Sequence, residues 1–501
     1  MADPFYITTA IHYPNGKPHI GHAYEMIAAD AIARFQRQQG RDVFFQTGTD
    51  EHGLKMVQTA RARDMTAREL ADEMSNHFRV MAEKLDISCD RFIRTSEADH
   101  YRASQAIWEK MAAKGDLYLD RYEGWYSVRD EAFYEEKELV EGEGGQKLSP
   151  QGTPVEWTKE ETWFFRLSKY QQPLLDFYAA NPDFIRPESR RNEVLRFVEG
   201  GLVDLSVSRT SFDWGVPVPG SPGHVMYVWV DALTNYLTGA GYPDDAERLA
   251  RYWPADLHLI GKDIVRFHTV YWPAFLMSAD IALPKQVFGH GFLLNRGEKM
   301  SKSVGNVVDP MELAETYGVD ALRYFLMRDV SFGQDGTFSD EAIVTRANAD
   351  LSNSFGNLAQ RTLSFIAKNC EGAVQAGRAE DADAVLLTEV DTACAAFTRA
   401  FQDLALSQGV EAWMTGVFAC NQYIDAQAPW TLRKTDPERM HAVLGTLLKA
   451  IRRLGITIEP VVPTSAAKLL AQLGPEGDAD FKIAPPTPIF PRLELQISED
   501  A

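Results

Sequence analysis

Apolar and polar positions along this chain change period several times, and each change marks a different kind of element. Phe5, Tyr6, Ile7, Thr8 and Thr9 form a β-branched and aromatic run that predicts a buried strand. A turn at Pro14-Asn15-Gly16 follows, and then residues 23–39 place Ile27, Ala31 and Phe35 on one helical face, with Gly40 as the stop. Val43, Phe44 and Phe45 predict the next strand, which ends at Gly48. Strand, turn, helix and strand is the repeating unit of a doubly wound parallel sheet, whose ligands sit at the carboxyl ends of its strands. From residue 118 aromatics alternate with charges, and helical spacing returns only at 167–178, so residues 118–223 read as an insertion closed by a Pro/Gly stretch at 216–223. The αβ pattern resumes at 225–237, 257–260 and 265–277. Beyond a mixed segment, Ala/Leu-rich runs at 350–368, 384–401, 408–426, 440–454 and 464–473 predict an α-helical bundle, with an extended tail at 484–488 folded back on it.

Composition narrows the class without naming a function. At 501 residues the chain is long enough for about three domains, and 45% apolar residues is ordinary for a globular protein. No apolar run reaches the roughly 20 residues that span a bilayer. The first residues lack the basic-then-apolar layout of a secretion signal, so the expected compartment is the cytoplasm. Cys89, Cys370, Cys394 and Cys420 are scattered, with no Cys-x-x-Cys pair, which argues against a disulfide framework or a thiolate zinc site. A net charge of −20 disfavours indiscriminate nucleic-acid binding, yet it allows selective binding through local basic patches.

Candidate chemistry sits in two short peptides about 280 residues apart. His19-Ile20-Gly21-His22 opens the first helix, where free N–H groups and the helix dipole favour anions. Gly21 lets a nucleotide approach the backbone closely, and the two imidazoles can donate to a phosphate. Lys299-Met300-Ser301-Lys302-Ser303 supplies two ammonium groups and two hydroxyls between glycines, as a loop able to close over a ligand would. Its lysines would offset charge growing on a leaving pyrophosphate. Taken alone, the first peptide also suits a helix-capping histidine, and the second a solvated basic loop.

Together, and in this order, the two peptides resemble the HIGH and KMSKS motifs of the class I aminoacyl-tRNA synthetases. Gly48-Thr49-Asp50-Glu51-His52-Gly53 resembles the methionyl branch, since the leucine, isoleucine and valine enzymes tend to carry tryptophan in the second place. Residues 227–232 and 260–268 resemble that branch's methionine pocket, and an insertion of this length looks too short for a large editing domain. The resemblance implies a Rossmann-type catalytic domain in halves 1–117 and 224–292, interrupted by a connective-peptide domain at 118–223. A KMSKS-loop stem-contact segment at 293–345 and a helical anticodon-binding domain at 346–501 would follow. It implies ATP-dependent ligation of L-methionine to tRNA(Met) through methionyl-adenylate, with ATP and Mg²⁺ required. His19, His22, Lys299 and Lys302 would be catalytic, and His19, Gly21, His22, Glu25, Gly261, Asp263, Lys299, Ser301 and Lys302 would bind ATP. Asp50 would hold the methionine ammonium, with Ile11, Tyr13, Trp229, Ala232, Tyr236, Ile264 and His268 around the side chain. Asn357, Arg361 and Trp430 would read the anticodon. Unaided by the resemblance, these aromatics also suit core packing, and Trp430 a residue packed on the bundle.

Two departures from the family stand out. Many methionyl enzymes hold zinc with Cys-x-x-Cys knuckles in the inserted domain, whereas residues 125–131 here have no cysteine, so no structural zinc is expected and the domain should be held by its aromatics. His12 stands where the family more often has tyrosine or proline, beside the pocket. The resemblance also implies a monomer, with no extra C-terminal dimerisation domain. Two rivals stay open at this point: a cofactor nucleotidyltransferase on the same nucleotide fold, and a catalytically silent tRNA-binding paralogue, the latter expected to carry damaged motifs.

Overall fold

The computed structural model describes residues 2–130, 132–300, 307–474 and 481–495. Its contacts divide into two units, the first comprising residues up to 29, 36–83 and 87–290, the second residues 30–35, 84–86 and those from 291 on.

The first unit is built on a six-stranded sheet, all of whose pairings are parallel. Its strands run, in spatial order, Arg91–Arg94, Asp42–Thr49, Pro4–Thr9, Leu257–Gly261, Val287–His290 and Ile185–Arg186. The central strands are buried along nearly their whole length, as parallel strands covered on both faces must be. That is why Val43 to Phe45 reads as continuous apolar sequence rather than as an alternation. The first helix, Ile20–Gln38, starts three residues before the expected position, because its buried face begins at Ile20 rather than at Ala23. The HIGH peptide therefore forms its first turn.

Within residues 118–223 a second, antiparallel sheet forms. Leu117–Ser127 pairs with Glu156–Phe165, flanked by Ala132–Tyr134 and Leu205–Ser206. Trp125 and Trp157 face each other edge to face at 5.2 Å, so aromatics do brace this sheet. They share the work with a polar hub that sequence reading missed. Asp130 Oδ2 accepts from Ser149 Oγ at 2.7 Å, Tyr134 OH at 3.0 Å and Thr153, while Ser127 Oγ lies 2.7 Å from Thr153 Oγ1. Hydroxyls converging on one carboxylate cross-link the turns by charge-assisted hydrogen bonds. Ile185–Arg186, also from this segment, extends the edge of the parallel sheet.

In the second unit, Leu293–Asn295 and Glu298–Lys299 form a hairpin through Arg296 and Gly297, with φ of 49° and 86°, the backbone a two-residue I′ turn requires. Gly336–Phe338 adds a parallel third strand. All five expected helical runs are present. The first belongs to a continuous helical stretch beginning ten residues earlier, Asp340–Arg346 leading through Ala347–Gly356 into Asn357–Asn369. The others are Asp381–Gln402, Leu406–Gln427, Pro437–Ile458 and Pro463–Leu473. A short helix that periodicity cannot reveal, Pro429–Thr435, starts after Ala428 takes a left-handed φ of 42°. The tail folds back as expected, Ala484 N–H donating to Gln472 O at 2.9 Å and Leu493 N–H to Asn348 Oδ1 at 2.8 Å. Among the described residues no helix is long and apolar enough to cross a membrane.

Candidate active site

The site begins at the turn before the first helix. Gly21 N–H donates to His19 Nδ1 at 3.1 Å, and His19 N–H donates to His22 Nδ1 at 3.1 Å. Each bond makes Nδ1 an acceptor, so each neutral ring carries its proton on Nε2. The rings stack at 3.8 Å and 27°. Gly21 is needed here, since a Cβ would stand 2.9 Å from the His19 ring. The motif thus stacks two imidazoles, each with Nε2 as its donor nitrogen, at a helix N-terminus.

His12 joins this cluster, its ring edge-on to His22 at 5.0 Å and stacked on Phe78 at 5.4 Å. Burial holds its pKa below the usual histidine value, with Glu25 opposing. Its backbone bridges two segments. His12 N–H donates to Gly48 O at 2.8 Å, and Asp50 N–H donates to His12 O at 2.9 Å. Ile11 and Tyr13 are thereby brought alongside the buried Asp50. Tyr13 OH accepts from Met56 N–H at 3.3 Å, which fixes the other side of that segment.

One turn along the first helix, Glu25 Oε2 lies 2.8 Å from His290 Nε2. His290 ends the strand Val287–His290 and pairs in register with Gly261, the last residue of the neighbouring strand. A Cβ at Gly261 would stand 2.7 Å from Asp263 Oδ1, so glycine lets Asp263 fold back over the strand end. Glu25, Gly261 and Asp263 therefore gather at the carboxyl edge of the sheet, where doubly wound folds bind nucleotides.

The aromatic wall is built by the helix Val228–Gly239 and the turns after Gly261. Trp229, Ala232 and Tyr236 fall at i, i+3 and i+7, one helical face. Trp229 stacks on Phe267 at 3.7 Å and 4°. His268 Nδ1 donates to Ile264 O at 3.0 Å, so its Nε2 accepts from Tyr236 OH at 2.6 Å. Burial lowers the His268 pKa to about 4, against the pull of the Ile264 carbonyl, so this wall is uncharged at neutral pH. The helix is anchored from behind, where Gln46 Nε2 donates to Asn235 Oδ1 at 2.7 Å and Tyr6 OH to Tyr236 O at 2.8 Å.

All the candidate methionine residues, with His19, Gly21, His22, Glu25, Gly261 and Asp263, fall in the first unit. The second unit holds the rest. Arg361, one turn beyond the exposed Asn357, has its guanidinium 5.4 Å over the Trp430 ring and pairs with Asp425 at 2.8 Å. Trp430 is 43% exposed. Lys299 closes the hairpin strand by its backbone pairing with Leu294, while Ser301 and Lys302 lie outside the described residues. Sequence reading missed His290, Phe78 and the Glu25 contact. His290 carries a weak signal, since a histidine ending a parallel strand stands at the ligand edge. Phe78 on the helix Ala67–Lys84 carries none.

Two family profiles account for most of the chain. The one described as tRNA synthetases class I (M) matches residues 5–363, and the one described as anticodon binding domain of methionyl tRNA ligase matches residues 374–484. The methionine–tRNA ligase of Brucella suis biovar 1 (strain 1330) is 59% identical over 504 residues, covering 98% of each chain. That of Mesorhizobium japonicum is 57% identical over 518 residues, covering 100% of this chain and 99% of its own. Among solved structures, Mycobacterium tuberculosis methionyl-tRNA synthetase in complex with methionyl-adenylate superposes with a TM-score of 0.95 at 56% identity, over 98% of this chain and all of its own. With motifs, fold and relatives in agreement over nearly its whole length, this chain belongs to the methionyl-tRNA synthetases of class I.

Proposed function

We infer that this chain ligates L-methionine to tRNA(Met) at the expense of ATP. In the first step a carboxylate oxygen of methionine attacks the α-phosphorus of ATP. The bond from that phosphorus to the β-phosphate oxygen breaks, giving methionyl-adenylate and pyrophosphate. In the second, the terminal ribose 2′-hydroxyl of the tRNA attacks the aminoacyl carbonyl, and AMP leaves. The observation that carries this reading is the pair of stacked imidazoles, each with its Nδ1 accepting a backbone N–H, at the same sheet edge as Asp50 and the aromatic wall.

The residue roles follow from chemistry. His19 and His22 donate to phosphate oxygens whose charge grows as the α-phosphorus becomes five-coordinate. Gly21 admits the nucleotide, and Glu25, Gly261 and Asp263 hold ribose and adenine. Asp50 takes the ammonium, while Ile11, Tyr13, Trp229, Ala232, Tyr236, Ile264 and His268 enclose an unbranched thioether, which aromatic rings suit. Lys299, Ser301 and Lys302 are assigned to the departing pyrophosphate on their motif. Catalysis is positioning and charge stabilisation, with no covalent enzyme intermediate. Mg²⁺ is assigned to the phosphates of ATP, an ion that keeps several waters and rides on the nucleotide. Asn357, Arg361 and Trp430 are assigned to the anticodon, and the enzyme is read as a cytoplasmic monomer.

ATP–pyrophosphate exchange, run with each amino acid separately, tests the reading. Exchange should depend on methionine, and Lys302→Ala should slow it far more than a surface lysine change does. Exchange with no amino acid, or with another one preferred, would overturn the substrate assignment.

A further inference from the structure

The helix that carries Trp229, Ala232 and Tyr236 also carries Asp231, a fully buried carboxylate on another of its faces. A carboxylate inside a helix surrounded by apolar residues is costly unless both oxygens are satisfied. Here each oxygen meets a different imidazole. Oδ2 lies 2.6 Å from His52 Nδ1, and Oδ1 lies 2.7 Å from His100 Nε2. Burial works to raise the Asp231 pKa, but the two imidazoles outweigh it and hold it at about 2, so the carboxylate is ionised throughout the working range. His100, on the helix Ala98–Ala113, returns its other nitrogen to Thr238 Oγ1 at 3.0 Å, two turns further along the same pocket helix. His52 reaches Tyr101 OH with its second nitrogen at 3.0 Å.

His52 stands two residues past Asp50, in a loop held on its other side. Trp214 Nε1 donates to Glu51 O at 2.5 Å, Gly53 N–H donates to Trp214 O at 3.3 Å, and Gly53 has a left-handed φ of 106°. The Glu51 carboxylate accepts from Arg94 and Ser96. The loop is thus a stiff body, and its bond to Asp231 joins it to the helix that forms the side-chain wall.

We propose that Asp231 is a positioning residue for amino-acid recognition: by clamping His52 and His100 together it sets the spacing between the Asp50 carboxylate and the wall of Trp229, Ala232 and Tyr236. A substrate grasped at its ammonium and at its thioether binds well only when those two grips are the right distance apart. A misplacement of 1 Å can cost about a hundredfold in rate, and it loosens the two-point grip as well. One imidazole would leave the carboxylate free to swing about its helix, and the second pins its plane. The proposal rests on the assignment of Asp50 to the ammonium.

The test compares L-methioninol, which carries ammonium and thioether, with its deaminated counterpart, which keeps the thioether alone. Binding of each is measured by calorimetry to the unaltered enzyme, to Asp231→Asn and to His100→Gln, with KM for ATP alongside. The unaltered enzyme should favour methioninol strongly. Asp231→Asn should weaken methioninol by about tenfold or more and leave the deaminated alcohol and KM for ATP within about twofold. His100→Gln, which keeps His52 and Asp231, should move the same way by less, and it carries the test if Asp231→Asn does not fold. A preference for methioninol that survives in both variants, or a proportionate loss of both ligands and ATP, would overturn the proposal. An unaltered enzyme indifferent to the ammonium would instead remove the Asp50 assignment, and this proposal with it.

Discussion

A neutral imidazole offers one donor and one acceptor, and its neighbours decide which nitrogen is which. At His19 and His22 backbone N–H groups take that decision, and at His268 the Ile264 carbonyl takes it. Tyr236→Phe removes the donor to His268 Nε2 and leaves a buried acceptor unsatisfied, a loss of about 1–3 kcal/mol. Steady-state kinetics should then give a KM for methionine raised by roughly tenfold, with KM for ATP little changed. Burial also holds His12, His258 and His268 below their ordinary pKa, His268 at about 4. In the unfolded chain these rings titrate near about 6.5, so between those values the unfolded state binds more protons. Their contribution is complete above pH ~6.5 and declines as pH falls below it, for His268 toward about 4. Urea denaturation at pH 7.5 and at pH 5.5 should show lower stability at the lower value, and His268→Gln should flatten part of that slope. A slope unchanged by His268→Gln would remove His268 from this account.

Elements meet here through small residues and buried charges. Gln46 reaches Asn235 only because Gly239 leaves room, since a Cβ there would fall 1.4 Å from Gln46 Oε1. Gly239→Ala should therefore displace Gln46, destabilise the protein by about 1–3 kcal/mol and shift the pocket helix enough to raise KM for methionine. Thermal melting and methionine kinetics on the same preparation check both effects. In the second unit, fully buried Arg323 donates to Asp30 Oδ2 at 2.6 Å and to the carbonyls of Val461, Pro460 and Leu85. Arg323→Ala would strand Asp30 with Arg34 as its remaining cation and leave several carbonyls unsatisfied, at a cost of about 3–5 kcal/mol by denaturant unfolding. A loss below about 1 kcal/mol would mean that water replaces the guanidinium.

At the scale of the whole molecule, the proposed methionine pocket and the HIGH peptide fall in the first unit and the proposed anticodon residues in the second, so the two proposed roles should separate by mutation. Trp430→Ala should leave methionine-dependent ATP–pyrophosphate exchange intact while kcat/KM for tRNA falls roughly five- to a hundredfold, the worth of one stacked base. Equal losses in both assays would mean that Trp430 supports the fold rather than the RNA. The net charge of −20 disfavours bulk attraction as a source of nucleic-acid affinity, so local contacts of this kind should matter more. By itself the sequence determined the parallel sheet, the helical bundle and the family, because strand runs, helical periods and the HIGH, GTDEHG and KMSKS peptides are local patterns. The helix Pro429–Thr435 escaped it because one left-handed residue, Ala428, makes the break. Only the tertiary structure decided which histidine nitrogen accepts a hydrogen bond, that Asp130 gathers hydroxyls in the insertion, and that Asp231 joins His52 and His100. Those bonds join residues up to 179 positions apart, and no period or motif along a chain encodes which distant side chain completes a hydrogen bond.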